Sequence, residues 1–186
     1  MKAIFLDRDG VMIFDRGHLV STDQVEVIDS SISAVRILNS MGYTVLGISN
    51  QSVVARGLST ISGVQKVNSH ILEEYRKHNA FIQKIYFCPH HPQGTVKEYA
   101  KKCICRKPAP GMIIDAAKEF DLDLKNSWIV GDQPTDILAG ISAGCNTALV
   151  PSRYWTLNEL TTQPQLFCSD LKDFVDKLKL WLNEHK

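Results

Sequence analysis

The chain has 186 residues, 44% of them hydrophobic, enough for one full core and with no sign of a second, so residues 1–186 are expected to form a single domain. Its 21 basic and 20 acidic residues are scattered for a formal charge of +1, which leaves no footprint for nucleic acid and no charged face for a membrane surface. The apolar run after Lys2 is short and ends in charges, unlike a secretory signal or a membrane span, so a cytoplasmic monomer is expected.

Strand-like runs occur in chain order at 2–6 ("KAIFL"), 43–49 ("YTVLGIS"), 82–87 ("IQKIYF"), 127–131 ("SWIVG") and 146–150 ("NTALV"). Helical patterns separate them. Ile32, Val35, Leu38 and Met41 recur near helical period and Gly42 supplies a stop. A second helix is predicted from Ser59 or Thr60, with Val64, Val67, Ile71, Leu72 and Tyr75 on one face. Pro110 opens a third before Met112, Ile113, Ala116 and Phe120, and a fourth spans 135–143 and stops at Gly144. The last has Ser169 as its predicted N-cap and a stripe of Leu171, Phe174, Val175, Leu178, Trp181 and Leu182. Apolar strands alternating with helices predict an α/β fold, a doubly wound parallel sheet that binds its ligand beyond the carboxyl ends of the strands.

Those ends carry Asp7 and Asp9, Ser49 and Asn50, and Asp132. Two carboxyl groups two residues apart cannot comfortably both ionise without a cation, so Asp7-Arg8-Asp9 implies a metal or a shared proton, where a solvated turn is the plain alternative. The stretch 88–111 has no periodic pattern, and structureless segments of that length inside compact domains need a reason. Cys88 with His90 and Cys103 with Cys105 supply one: three thiolates and an imidazole make a closed tetrahedral set for structural Zn²⁺. Spacing alone leaves His91 open as the imidazole in place of His90. Cys145 and Cys168 lie in apolar contexts and are expected in the core.

"DRDG", Ser49, Lys107 and "GDQPTD", in that order, resemble the four-motif signature of the haloacid dehalogenase superfamily of phosphatases. The resemblance implies a Rossmann-like fold with Asp7 as nucleophile, Asp9 as general acid and base, Ser49 as a hydroxyl hydrogen-bond donor to the phosphoryl group and Lys107 as a fixed positive charge. It also implies Mg²⁺ held by Asp7, Asp132 and the backbone carbonyl of Asp9. Asp136 is expected to support the metal from behind or to sit in the first turn of its helix.

"SNQSVVARG", "YFCPHHPQG" and "CICRKPAPGM" narrow the resemblance to the bacterial heptose bisphosphate phosphatases and their histidinol-phosphatase relatives, over most of residues 3–150. This implies the zinc-bound loop, the absence of a large cap domain, and a small phosphorylated sugar as substrate. The implied reaction is hydrolysis of a heptose 7-phosphate for lipopolysaccharide precursors, with histidinol phosphate as the alternative. Substrate contacts are implied for Asp15, Arg16, Gly17 and His18, for Asn50, Gln51 and Ser52, and for Arg106, whose planar fork suits a second phosphate or sugar oxygens. Arg56 is a further candidate. The chain departs from the family at Val53, where glycine is usual, and at neutral Gln133, where lysine is frequent.

Overall fold

A computed structural model describes residues 1–152, 160 and 162–185. The sheet has six parallel strands: β1 (Ala3–Asp7), β2 (Thr44–Asn50), β3 (Ile85–Cys88), β4 (Trp128–Gly131), β5 (Asn146–Leu149) and β6 (Leu166–Phe167). Their order is β3-β2-β1-β4-β5-β6, so the chain winds outward from β1 to one edge and then from β4 to the other. The crevice where the winding reverses lies between β1 and β4, at their carboxyl ends.

Side chains alternate between faces along each strand, and this alternation builds two cores. Ile4, Leu6, Val45, Trp128 and Val130 face α1 (Asp29–Ser40), α2 (Ile61–Lys77) and α5 (Leu171–Glu184), against Val35, Leu38, Val67, Ile71, Phe174 and Leu178. Ala3, Phe5, Leu46, Ile48 and Ile129 face α3 (Gly111–Phe120) and α4 (Pro134–Ala143), against Met112, Ile113, Ala116 and Ala139. With both faces covered, the strands have no polar side, which is why they are continuous apolar runs in the sequence. Cys145 and Cys168 are buried, one in each core.

The five expected strands and five expected helices all occur. Two details differ. The last helix is capped by Asp170 rather than Ser169: the Asp170 carboxylate accepts from the Asp173 amide at 2.8 Å, and Asp173 reaches back to the Ser169 amide at 2.7 Å. A carboxylate in the extended conformation one residue later takes the role from the hydroxyl. The second is β6, which the sequence reading omits. Only two residues long, it pairs Leu166 with Ala148 and Phe167 with Leu149, too short to show any period.

Phe174 is fully buried and packs edge-on to Trp128 at 5.6 Å, with Trp181 on another side of the indole at 5.3 Å. This cluster fastens α5 to the sheet. Phe174→Ala is expected to cost about 3–5 kcal/mol of folding stability, measured by urea denaturation.

Candidate active site

β1 ends on Asp7, which is buried. After it the chain turns tightly: Gly10 donates its amide to the Ile13 carbonyl, and the Met12 and Ile13 amides return to Arg8. Gly10 has φ +89°, and a Cβ there would lie 2.4 Å from Asp132 Oδ2. The turn thus needs glycine both for its backbone and because the first strand's loop presses against the carboxylate that follows β4. On the other side of β4, a Cβ at Gly131 would meet the Asp136 side chain at 2.2 Å. The missing methyl lets the first turn of α4 bring a buried carboxylate up to the strand.

Asp7, Asp132 and Asp136 consequently place carboxylate oxygens within 4.8 Å of one another. Lys107 enters this cluster from the long loop. Its Nζ lies 2.7 Å from Asp7 Oδ1 and 2.5 Å from Asp136 Oδ1, and its side chain is 4% exposed. Burial opposes its charge, but Asp136 and Asp7 prevail and hold the ammonium above its ordinary pKa. Burial pushes the Asp7 carboxyl well up, Lys107 pulls it back, and Asp136, Asp132 and Asp9 push it up again. Burial and Asp136 together take Asp132 to about 7. Three carboxylates against one ammonium leave two uncompensated negative charges when all are ionised, the charge of one divalent cation. Asp136 also accepts from the Gln133 amide at 3.0 Å, so both of its oxygens are engaged, Oδ1 by Lys107 and Oδ2 by the backbone.

Asp9 has a different environment. Its Oδ2 accepts from Arg8 Nε at 3.1 Å, Gln51 Nε2 at 3.0 Å and Ser49 Oγ at 3.3 Å, and its Oδ1 accepts from Arg8 Nη2 at 3.0 Å. The two acids of the first motif are thus held apart in chemistry, one against a lysine and the other in a cradle of neutral donors and a guanidinium.

Residues 88–111 contain no helix or strand beyond the end of β3 and the start of α3. The loop is fastened at several points: Thr95 and Val96 donate to the Ala55 carbonyl, and the Lys107 backbone is bracketed by Asn50, whose Oδ1 accepts from its amide and whose Nδ2 donates to its carbonyl, both at 3.0 Å. At its base, Cys88, Cys103 and Cys105 bring their sulfurs to 3.1–3.4 Å of one another, and His90 Nδ1 lies 3.6 Å from Cys88 and 3.4 Å from Cys105. No sulfur pair is bonded. These separations are near the edges of a tetrahedron with metal bonds of about 2.0–2.3 Å, the size of a zinc site. His91 points elsewhere and accepts from the Gln93 amide.

Above the sheet is a cleft of about 540 Å³ lined by Asp7, Asp9, Ser49, Asn50, Gln51, Ser52, Arg106, Lys107 and Asp132 from the strand ends and the loop, and by Asp15, Gly17 and His18 from the segment after β1. Arg16 does not line it. Its guanidinium turns outward to Glu26, ten residues on, a pairing that no local spacing announces. Arg56 is exposed and also outside the lining. Val53 and Gln133 contribute to the wall, Gln133 donating to Ser152 at 3.0 Å. Thr135 lines the cleft as well, and buried Arg8 and Asn68 stand behind it; the sequence reading assigns none of these three. Asn68 had a visible signal, an amide in the middle of the apolar stripe of α2.

Comparison with known proteins matches this arrangement to a family. A HAD-hydrolase-like family profile covers residues 104–174. The D-glycero-beta-D-manno-heptose-1,7-bisphosphate 7-phosphatase of Escherichia coli K12 is 35% identical over 177 residues, 89% of this chain and 93% of its own length. The chain belongs to the heptose bisphosphate phosphatase family. Its relative of the same name from Pasteurella multocida is 41% identical over 150 residues, 80% of this chain and 81% of that one. The crystal structure of D,D-heptose 1,7-bisphosphate phosphatase from B. bronchiseptica, complexed with magnesium and phosphate, superimposes with a TM-score of 0.85 at 32% identity, covering 97% of this chain and 99% of that one. That structure therefore shares the described architecture of this chain, from β1 to α5.

Gly10→Ala combines a positive φ with a contact on Asp132, and is expected to cost about 1–3 kcal/mol of stability. Urea denaturation of the variant checks this.

Proposed function

We propose that the protein is a Mg²⁺-dependent phosphatase that removes the 7-phosphate of D-glycero-D-manno-heptose 1,7-bisphosphate in the synthesis of lipopolysaccharide precursors. The observation that carries the reading is the pair of differently housed carboxylates at one end of β1: Asp7 against the Lys107 ammonium and Asp9 in its cradle of donors, at the floor of a single cleft.

In this reading an Asp7 oxygen attacks phosphorus, the bond from phosphorus to the sugar oxygen breaks, and Asp9 gives its proton to that oxygen as it leaves. Asp9, now a carboxylate, takes a proton from water as the water attacks the aspartyl phosphate, which restores Asp7 and releases inorganic phosphate. One residue serves both half-reactions, so its orientation matters twice. Lys107 and Ser49 supply positive charge and a hydroxyl donor for the phosphoryl oxygens. Asp7, Asp132 and the Asp9 carbonyl would hold Mg²⁺, whose contribution is to offset the carboxylate cluster and the negative phosphoryl group. Arg106, which donates to the His90 carbonyl at 3.1 Å, would grip the second phosphate or sugar oxygens, and Asp15, Gly17, His18, Asn50, Gln51 and Ser52, which line the cleft, would bound the sugar. Cys88, His90, Cys103 and Cys105 would hold structural Zn²⁺, which fixes the base of the loop that carries Lys107.

The histidinol-phosphate alternative is not favoured, because the matched relatives carry the heptose name. The reading includes one domain over residues 1–186 and a cytoplasmic monomer. All five cysteines are free, as is usual in a reducing compartment, and no helix among the described residues is long and apolar enough to cross a membrane.

Phosphate release from heptose bisphosphate and from histidinol phosphate, each with and without Mg²⁺, tests the activity. A kcat/KM preference for the heptose that disappears without metal is the expected result; turnover of histidinol phosphate alone would sink the substrate assignment. Asp7→Asn should abolish turnover while the fold persists by circular dichroism. Elemental analysis separates the imidazoles: His90→Ala should lose bound zinc, and His91→Ala should keep it.

A further inference from the structure

Arg8 lies between the two acids of the first motif and is 1% exposed. A guanidinium taken out of water that completely requires partners for its donors, and here two elements supply them. Nε and Nη2 grip the two oxygens of Asp9 at 3.1 and 3.0 Å, while Nη1 donates to Asn68 Oδ1 at 3.0 Å. Asn68 sits on α2 among Val64, Val67 and Ile71, is 5% exposed, and does not line the cleft. The polar residue in the apolar stripe of α2 therefore has a defined task, to hold the far side of the Arg8 guanidinium.

The grip does something that the other partners of Asp9 do not. Gln51 and Ser49 both reach Oδ2, so they locate one oxygen but leave the plane of the carboxylate free to turn about it. Arg8 takes both oxygens with a rigid planar fork, which sets that plane. The fork is itself prevented from swinging by its third nitrogen, tied to a helix that packs across the sheet.

We propose that Arg8 is a positioning residue which, anchored to α2 through Asn68, orients the Asp9 carboxyl for proton transfer to the departing oxygen. The inference rests on the reading of Asp9 as general acid. It concerns geometry, so its signature is selectivity for the leaving group. A sugar alkoxide needs a well-aimed proton, whereas p-nitrophenolate leaves readily without one.

The test measures kcat/KM of the Mg²⁺-loaded protein for heptose bisphosphate and for p-nitrophenyl phosphate, in the wild type and in Asp9→Asn, Arg8→Lys, Asn68→Leu and Asn68→Asp. This parameter covers the steps up to cleavage of the bond to the leaving oxygen, so slow hydrolysis of the aspartyl phosphate does not mask the effect. Asp9→Asn should lose about 10²–10⁴-fold on the sugar and far less on the aryl ester. Arg8→Lys keeps the charge without the fork, and Asn68→Leu removes the anchor without touching the cleft; each should lose roughly 10–100-fold on the sugar and little on the aryl ester. Asn68→Asp keeps an acceptor for Nη1 and should restore the wild-type ratio. Should Arg8→Lys fail to fold, the Asn68 pair still decides the matter. Equal losses on both substrates in Arg8→Lys and Asn68→Leu, with Asp9→Asn selective, would overturn the inference and leave the reading of Asp9 standing. Equal losses in Asp9→Asn would remove Asp9 as the acid and take the inference with it.

Discussion

The site depends on one buried ammonium. Lys107 is the cation that allows Asp7 and Asp136 to lie side by side at the end of a parallel sheet, out of water. A lysine with 4% exposure would ordinarily lose its proton, and two carboxylates at that distance would ordinarily gain one. Together they hold the ammonium charged, while the surplus carboxylate charge that remains calls for a further cation. The arrangement is poised in that sense. A divalent ion beside the ammonium would balance it.

That lysine comes from a loop and not from the sheet, which explains how much of the structure is devoted to fixing the loop. Asn50 at the end of β2 brackets the Lys107 backbone, the Ala55 carbonyl holds the middle of the loop, and the Cys/His cluster gathers its base next to β3. Arg106 and Lys107 directly follow Cys105, so a metal at the cluster would constrain the two cationic side chains of the cleft through one and two peptide units. A buried charge on an irregular segment gains the rigidity of a sheet by this means.

Much of this was legible in the sequence, for identifiable reasons. Asp7, Ser49 and Asp132 each end an apolar run, and in a doubly wound sheet such ends converge at the switch point; the cysteine spacing announced a clustered loop. Other parts could not be read. Asp136 admits two roles from sequence, and only the close approach over Gly131 shows that it pairs with Lys107. Whether His90 or His91 joins the cysteines depends on the turn after β3, which spacing does not encode. Arg16 adjoins the right segment, but its direction is set by Glu26 across a loop. Arg8 and Asn68 are 60 residues apart, and their contact exists only because α2 crosses the end of β1.

The Asn50 bracket has an evolutionary consequence. Because one amide side chain reads both the N–H and the carbonyl of the Lys107 backbone, it aligns that residue with β2 whatever the number of residues between them. Insertions or deletions in the outer part of the loop, between the Ala55 contacts at Thr95 and Val96 and the cysteines at 103 and 105, then leave the lysine in place relative to Asp7. A fold built this way can vary in peripheral length while its central charge arrangement is inherited unchanged.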